Sequence, residues 1–165
     1  MALSQSEPGD WLSLVLQHHV QVEDAFLKVQ NATTIADRLA AQGWLGVLLT
    51  GHAIAEESVL YPALAEIGEK GHADTAYSDQ ATVKMQMAEL ERLDSASQEY
   101  LDKLEHIRES VEHHVYEEEA HWFPELKRKA ADADQAKLTQ RYREEFDRYV
   151  GFDAAGPARR TPSFL

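Results

Sequence analysis

The sequence predicts an all-α protein: an up-down antiparallel four-helix bundle with an additional C-terminal helix and a tail. Three observations point there. Apolar residues recur at spacings of three and four along most of the chain, the period of one helix face. Glycine, proline and clusters of Ser, Thr, Asn and Asp fall in a few places and cut the chain into helix-length pieces. The breaks are short, about two to eight residues, which forces neighbouring helices antiparallel. At 165 residues the chain suits one domain with a sizeable core. The expected organisation is a helical bundle over residues 1–150, with its core at 10–130, and a tail at 151–165.

Taken in order, Pro8 and Gly9 precede Asp10, an N-cap for a first helix over about residues 10–30. Asn31, Thr33 and Thr34 mark a break. A second helix follows over about 35–67, and Gly68 to Gly71 form a turn. A third helix spans about 72–94, and Asp94 to Ser97 supply a break and a new cap. A fourth runs over about 97–130, with a shorter fifth at 133–150 carrying Leu138, Tyr142, Phe146 and Tyr149 on one face. Pro62 and Pro124 lie inside helical patterns and predict a kink in each.

The inward seams are interrupted by polar residues. Leu12, Val15, His19, Val22, Phe26 and Val29 line the first helix. Leu45, Leu48, His52, Glu56, Val59 and Ala63 line the second. The third has Ala73, Ala76, Gln80, Val83, Met87 and Leu90; the fourth has Leu104, Ile107, Val111, His114 and Glu118. Burying such groups without partners costs roughly 2–7 kcal/mol each. A metal ion satisfies several of them at once.

Two stretches nearly repeat one another. His52, Glu56, Glu57, Leu60, Tyr61, Pro62 and Leu64 reappear 62 residues later as His114, Glu118, Glu119, Trp122, Phe123, Pro124 and Leu126. In each copy the His and the first Glu are four apart, so a helix stacks them on one face. Two ordinary surface pairs would not share the same flanks. The aromatic-proline pairs read as shaping one end of the bundle. His18 lies one residue off the seam and reads as solvated or as a hydrogen-bond partner of a ligand; Glu57 and Glu119 read the same way. His72 and His106 read as surface residues, His113 as off the seam, and His121 as a capping residue or as lining the approach.

Composition narrows the partners. The formal net charge of −13 disfavours nucleic acid, whose phosphates need a basic patch. There is no cysteine, hence no disulfide and no thiolate metal site. No stretch approaches the roughly 18 apolar residues of a membrane span, and residues 1–10 lack the pattern of a secretory leader. Together these favour the cytoplasm. Neither a Gly-rich phosphate loop nor a G-x-S-x-G elbow is present.

With these residues in view the chain resembles the hemerythrin-like family, also called the HHE cation-binding domain. The resemblance covers about residues 10–130 and rests mainly on the doubled His-x-x-x-Glu-Glu motif with its aromatic-proline extension. It implies a four-helix bundle around a non-haem di-iron centre. It implies ligation by His19 from the first helix, His52 and Glu56 from the second, and His114 and Glu118 from the fourth. The third helix departs from the family pattern: Gln80 stands where a His is expected. Either Gln80 takes part beside an open position, or Tyr77, one turn earlier, supplies a phenolate.

Imidazole and carboxylate without sulfur suit Fe, Mn or Zn. The doubled motif favours two iron ions bridged by oxide or hydroxide. The expected ligands are small molecules: peroxide, oxygen or nitric oxide. An open or tyrosine-ligated iron favours redox chemistry on peroxide or oxygen, catalase-like if enzymatic. Oxygen or nitric oxide binding or sensing, and iron storage or sensing without catalysis, are the alternatives.

Overall fold

A computed structural model describes residues 9–151, and the remainder of the expected tail lies outside the described residues. Seven α-helical segments make five long rods: α1 (Trp11–Asn31), α2 (Ile35–Ala55), α3 (Tyr61–Glu66), α4 (Lys70–Leu90), α5 (Gln98–Glu117), α6 (Phe123–Lys129) and α7 (Asp132–Val150). A π turn at Glu56–Leu60 joins α2 to α3, and another at Glu118–Trp122 joins α5 to α6. No strand occurs among the described residues. None of their helices is long and apolar enough to cross a membrane.

The local chemistry at the helix ends explains the boundaries. Asp10, Thr34 and Ser97 each turn a side-chain oxygen to a backbone N–H three residues on, capping α1, α2 and α5. The α3–α4 turn is a Schellman motif: Glu69 N–H donates to the Leu64 carbonyl and Gly68 N–H to that of Ala65. Gly68 takes φ 95° there, a backbone region that favours glycine.

At both motif prolines the regular α-helix is interrupted. Pro62 and Pro124 each lie in the first turn of a short α-helix, directly after a π turn that interrupts the regular ladder. The widened turn also changes which side chains face inward. In an α-helix a residue five places on sits roughly 140° round the axis. In the first π turn the Tyr61 N–H instead bonds the Glu56 carbonyl, so Tyr61 stacks over Glu56. Phe123 stacks over Glu118 in the same way.

The predicted seams are the core. Val15, Val22, Phe26, Val29, Leu45, Leu48, Val59, Leu90, Leu104 and Ile107 are all buried. α1 packs on α2 and α5, and α4 packs on α5 and α3. α7 lies outside this bundle, across α1 and α2. Leu138, Tyr142 and Phe146 on its inner face are buried, while Tyr149 is half-buried. Gly51 permits the close approach: a Cβ there would lie 2.5 Å from Val150. At the other end the Trp11 indole donates to Gln135 and the Trp11 amide to Thr139.

α7 also overturns the solvated reading of His18. The ring is buried, stacked on Phe146 at 3.6 Å between centroids. Burial, aided by the charge on His19, holds its imidazole down at about 4. An unfolded histidine titrates near 6.5. Between those values the unfolded chain binds one more proton than the folded chain, so stability falls as the pH drops from about 6.5 to 4. The loss from this group approaches about 3 kcal/mol. His18→Leu is expected to flatten that limb of a stability-against-pH curve measured by urea unfolding; an unchanged limb would contradict the assignment.

Candidate metal centre

Two carboxylates anchor the centre of the bundle. Glu56 and Glu118 open the two π turns and are both 0 % exposed. Each lies one helical turn beyond its histidine: His52 Nε2 is 3.1 Å from Glu56 Oε1, and His114 Nε2 is 3.0 Å from Glu118 Oε1. His19 reaches in from α1, its Nε2 3.2 Å from Glu118 Oε2 and 3.6 Å from Glu56 Oε1. Ligand atoms of His19, His52, Glu56 and Glu118 all lie within 4.8 Å of one another. The five seam residues singled out in the sequence therefore meet at one place.

The other faces of the carboxylates look toward α4. Glu56 Oε2 accepts from Gln80 Nε2 at 2.8 Å and from the Tyr61 hydroxyl at 3.1 Å. Glu118 Oε1 accepts from the Tyr61 hydroxyl at 2.8 Å. That hydroxyl is also 3.1 Å from His114 Nε2 and 3.0 Å from Gln80 Nε2. The centre thus has two sides. One holds His19 and His52; the other holds His114, Tyr61 and Gln80; each carboxylate presents one oxygen to each side.

Tyr77 is not part of this arrangement. Its hydroxyl donates to the Glu57 backbone carbonyl at 2.8 Å, and the residue is exposed. The reason is local. The Tyr61 amide already bonds Glu56, and the residue five after Glu57 is Pro62, which has no N–H. Tyr77 takes up that stranded carbonyl and covers the Tyr61 ring edge-on. The tyrosine at the centre is Tyr61, and its signal was the aromatic position of the doubled motif, Tyr in one copy and Phe123 in the other.

Each imidazole has its outer nitrogen engaged. His19 Nδ1 meets Glu119 Oε1 at 2.7 Å, and His114 Nδ1 meets Asp79 Oδ2 at 3.1 Å. His52 Nδ1 meets the Tyr142 hydroxyl at 3.2 Å. Glu119 thus partners a histidine, as one of its readings had it, whereas Glu57 pairs with Lys84. Asp79 and Tyr142 carry no motif signal; only the three-dimensional packing brings them here. His72 stacks on Trp122, and His121 pairs with Glu117 at the surface.

Charge is finely divided. Burial and the adjacent Glu118 push the Glu56 carboxyl up to about 7. Burial also acts on Glu118, but His114 and His19 hold it far below the usual carboxylate range. Burial opposes a proton on His114, yet Glu118 and Asp79 raise it to about 10. His19 is likewise raised, against burial, by Glu118, Glu119 and Glu56. Burial and the charge on His19 hold the His52 imidazole well below its usual value. Protonated His19 and His114 would thus offset the charge of the carboxylates. They do so imperfectly: His19 Nε2, Glu56 Oε1 and Glu118 Oε2 are buried with no aligned hydrogen-bond partner, although they lie close together. Three such atoms converging on one point are what a cation would satisfy.

Comparison with known proteins gives a consistent picture. A hemerythrin HHE cation-binding domain containing protein from Mycobacterium kansasii has the same fold, with a TM-score of 0.75 at 24% identity over 87% of this chain and 88% of that one. A DNA nickase from Nostoc sp. is 26% identical over 117 residues, which are 69% of this chain and 32% of that protein. The chain spans about a third of that relative's length. The hemerythrin HHE cation-binding domain itself matches residues 11–126, from the start of α1 into α6. That segment contains every seam residue of the buried cluster, and the chain belongs to the hemerythrin HHE cation-binding domain family.

Proposed function

We propose that the chain holds two non-haem iron ions and uses them in redox chemistry on peroxide or oxygen. The observation that carries this reading is the two-sided presentation of Glu56 and Glu118. A carboxylate with one oxygen facing each of two imidazole-bearing sides is suited to bridging two ions. One ion would leave half of each carboxylate without a cation. His19 and His52 would hold the first ion, and His114 and Tyr61 the second, with both carboxylates shared between them. Nitrogen and oxygen donors without sulfur suit iron. A phenolate donor favours its ferric state.

The rest of the arrangement supports the same reading. The Nδ1 contacts to Glu119, Asp79 and Tyr142 orient the three rings and leave Nε2 facing inward. Burial and the charges of Glu118 and Glu56 push the Tyr61 hydroxyl well above its usual value, so it ionises only when a cation reverses that field. Cation binding displaces the protons on His19 and His114, so affinity falls as the pH falls. A pair of irons supplies the two-electron change that separates peroxide from water. Gln80 places an amide donor beside the second side, where a family histidine would otherwise stand. The DNA nicking named for the Nostoc relative belongs to a much longer protein, and a formal charge of −13 opposes a phosphate backbone.

Glu118→Ala should lower both the iron content and the melting temperature of the iron-loaded chain, because it strips one oxygen from each side. Full iron occupancy in that variant, by elemental analysis, would contradict the shared-carboxylate reading. Tyr61→Phe should remove a phenolate charge-transfer band from the ferric spectrum, whereas Tyr77→Phe should leave it; the reverse pattern would overturn the choice of tyrosine. Iron-replete protein is expected to consume peroxide. Neither consumption nor a spectral change on adding it would favour gas binding or iron storage instead.

A further inference from the structure

The centre draws on a residue beyond the family's segment. The matched domain ends at residue 126, yet Tyr142 on α7 reaches the outer nitrogen of His52. Its setting differs from those of the other two outer partners. Glu119 and Asp79 are carboxylates with solvent access, and a carboxylate can only accept from a ring N–H. A tyrosine hydroxyl can donate or accept. It therefore leaves open which nitrogen of His52 carries the proton, unless something else decides.

His18 decides it. Its Nδ1 lies 2.9 Å from the same hydroxyl, which is 3.2 Å from His52 Nδ1. The hydroxyl has one proton for two ring nitrogens. If it donates to His18, it accepts from His52, and His52 carries its proton on Nδ1. Nε2 of His52 is then a lone pair facing Glu56 and His19. If it donates to His52 instead, the His52 proton moves to Nε2 and blocks that position. Either arrangement satisfies both rings with one hydroxyl, but in the second the His52 Nε2–H faces Glu56 Oε1 at 3.1 Å without an aligned hydrogen bond, which favours the first. Stacking holds the His18 ring within reach of the hydroxyl: it lies on Phe146 at 3.6 Å and 16°, and beside Tyr142 at 5.5 Å and 24°. Tyr142 is wholly buried, and both histidines nearly so, so water does not compete for the hydroxyl proton.

We infer that His18 and Tyr142 form a tautomer lock that fixes the His52 proton on Nδ1 and keeps Nε2 free for a metal ion. Both are positioning residues: neither touches the ion, and they act through His52. This rests on the metal-binding reading above. It also assigns a role to α7, which otherwise only covers an outer face of the bundle.

The test uses the full chain and two readouts. The first is the His52 ring tautomer in metal-free protein, read from side-chain nitrogen chemical shifts by NMR. The second is the affinity for ferrous iron by anaerobic titration. The protein as it stands should carry the His52 proton on Nδ1. His18→Leu keeps Tyr142 but removes the acceptor, so the proton should shift toward Nε2 and iron affinity should fall about 10–100-fold, the usual effect of losing an outer partner. His18→Asn offers a side-chain carbonyl oxygen in place of Nδ1 and should restore both readouts. Tyr142→Phe should weaken affinity as His18→Leu does. Leu138→Ala, on the same helix, perturbs packing without touching the hydrogen bonds and should leave the tautomer and the affinity in place.

An unchanged His52 tautomer in His18→Leu would overturn the lock, as would an equal loss of affinity in Leu138→Ala. Should Tyr142→Phe fail to fold, His18→Leu against His18→Asn still decides. If the unaltered chain binds no iron, the metal reading fails, and the tautomer measurement in metal-free protein still judges the lock by itself.

Discussion

Two glutamates with no exposure at all, set in the middle of a helical bundle, are the constraint on which the rest of the structure depends. Removing a carboxylate from water costs several kcal/mol unless charge and hydrogen bonds compensate it. The fold answers with three imidazoles, a phenol and an amide drawn from every rod of the bundle. His19 comes from α1, His52 from α2, Tyr61 from α3, Gln80 from α4 and His114 from α5. Those groups are in turn held from outside by Glu119, Asp79 and Tyr142. The apolar core above and below the centre is ordinary bundle packing. The polar layer makes this bundle a particular one, because a slipped register would bury the same charges without partners.

The π turns are where backbone and chemistry meet. Each begins at a buried glutamate and ends just before an aromatic-proline pair. The added residue places Tyr61 over Glu56 and Phe123 over Glu118, so one sequence repeat yields two chemically different turns. The first brings a hydroxyl to the second side of the centre; the second brings only a ring. The centre is therefore asymmetric twice over, with Tyr61 against Phe123 and with Gln80 in the place of a histidine. Two imidazoles serve one side and one imidazole with a phenol serves the other.

Much of this was legible in the sequence, because helix seams and i,i+4 pairs are local properties. The apolar spacing marked the core faces of all five rods, and Asp10 and Ser97 announced the starts of two of them. His19, His52, Glu56, His114 and Glu118 stood out as polar residues on apolar seams, and they meet. What escaped was set by non-local packing or by a change of helical pitch. Tyr61 faces inward only because the turn before it widens, and ordinary helical spacing pointed to Tyr77 instead. His18 sits off the four-helix seam and is buried by α7, which arrives from more than a hundred residues away. Asp79 is the neighbour of a seam residue and meets His114 across a helix interface that no spacing rule encodes.

Sharing of the two carboxylates between two ions is what the chemistry of the centre turns on. The most direct measurement is Mössbauer spectroscopy, with elemental analysis, on protein loaded with iron-57 and oxidised. Shared bridges predict two irons per chain whose spins are coupled to a diamagnetic ground state. A single iron per chain, or two irons behaving as magnetically isolated ions, would contradict it.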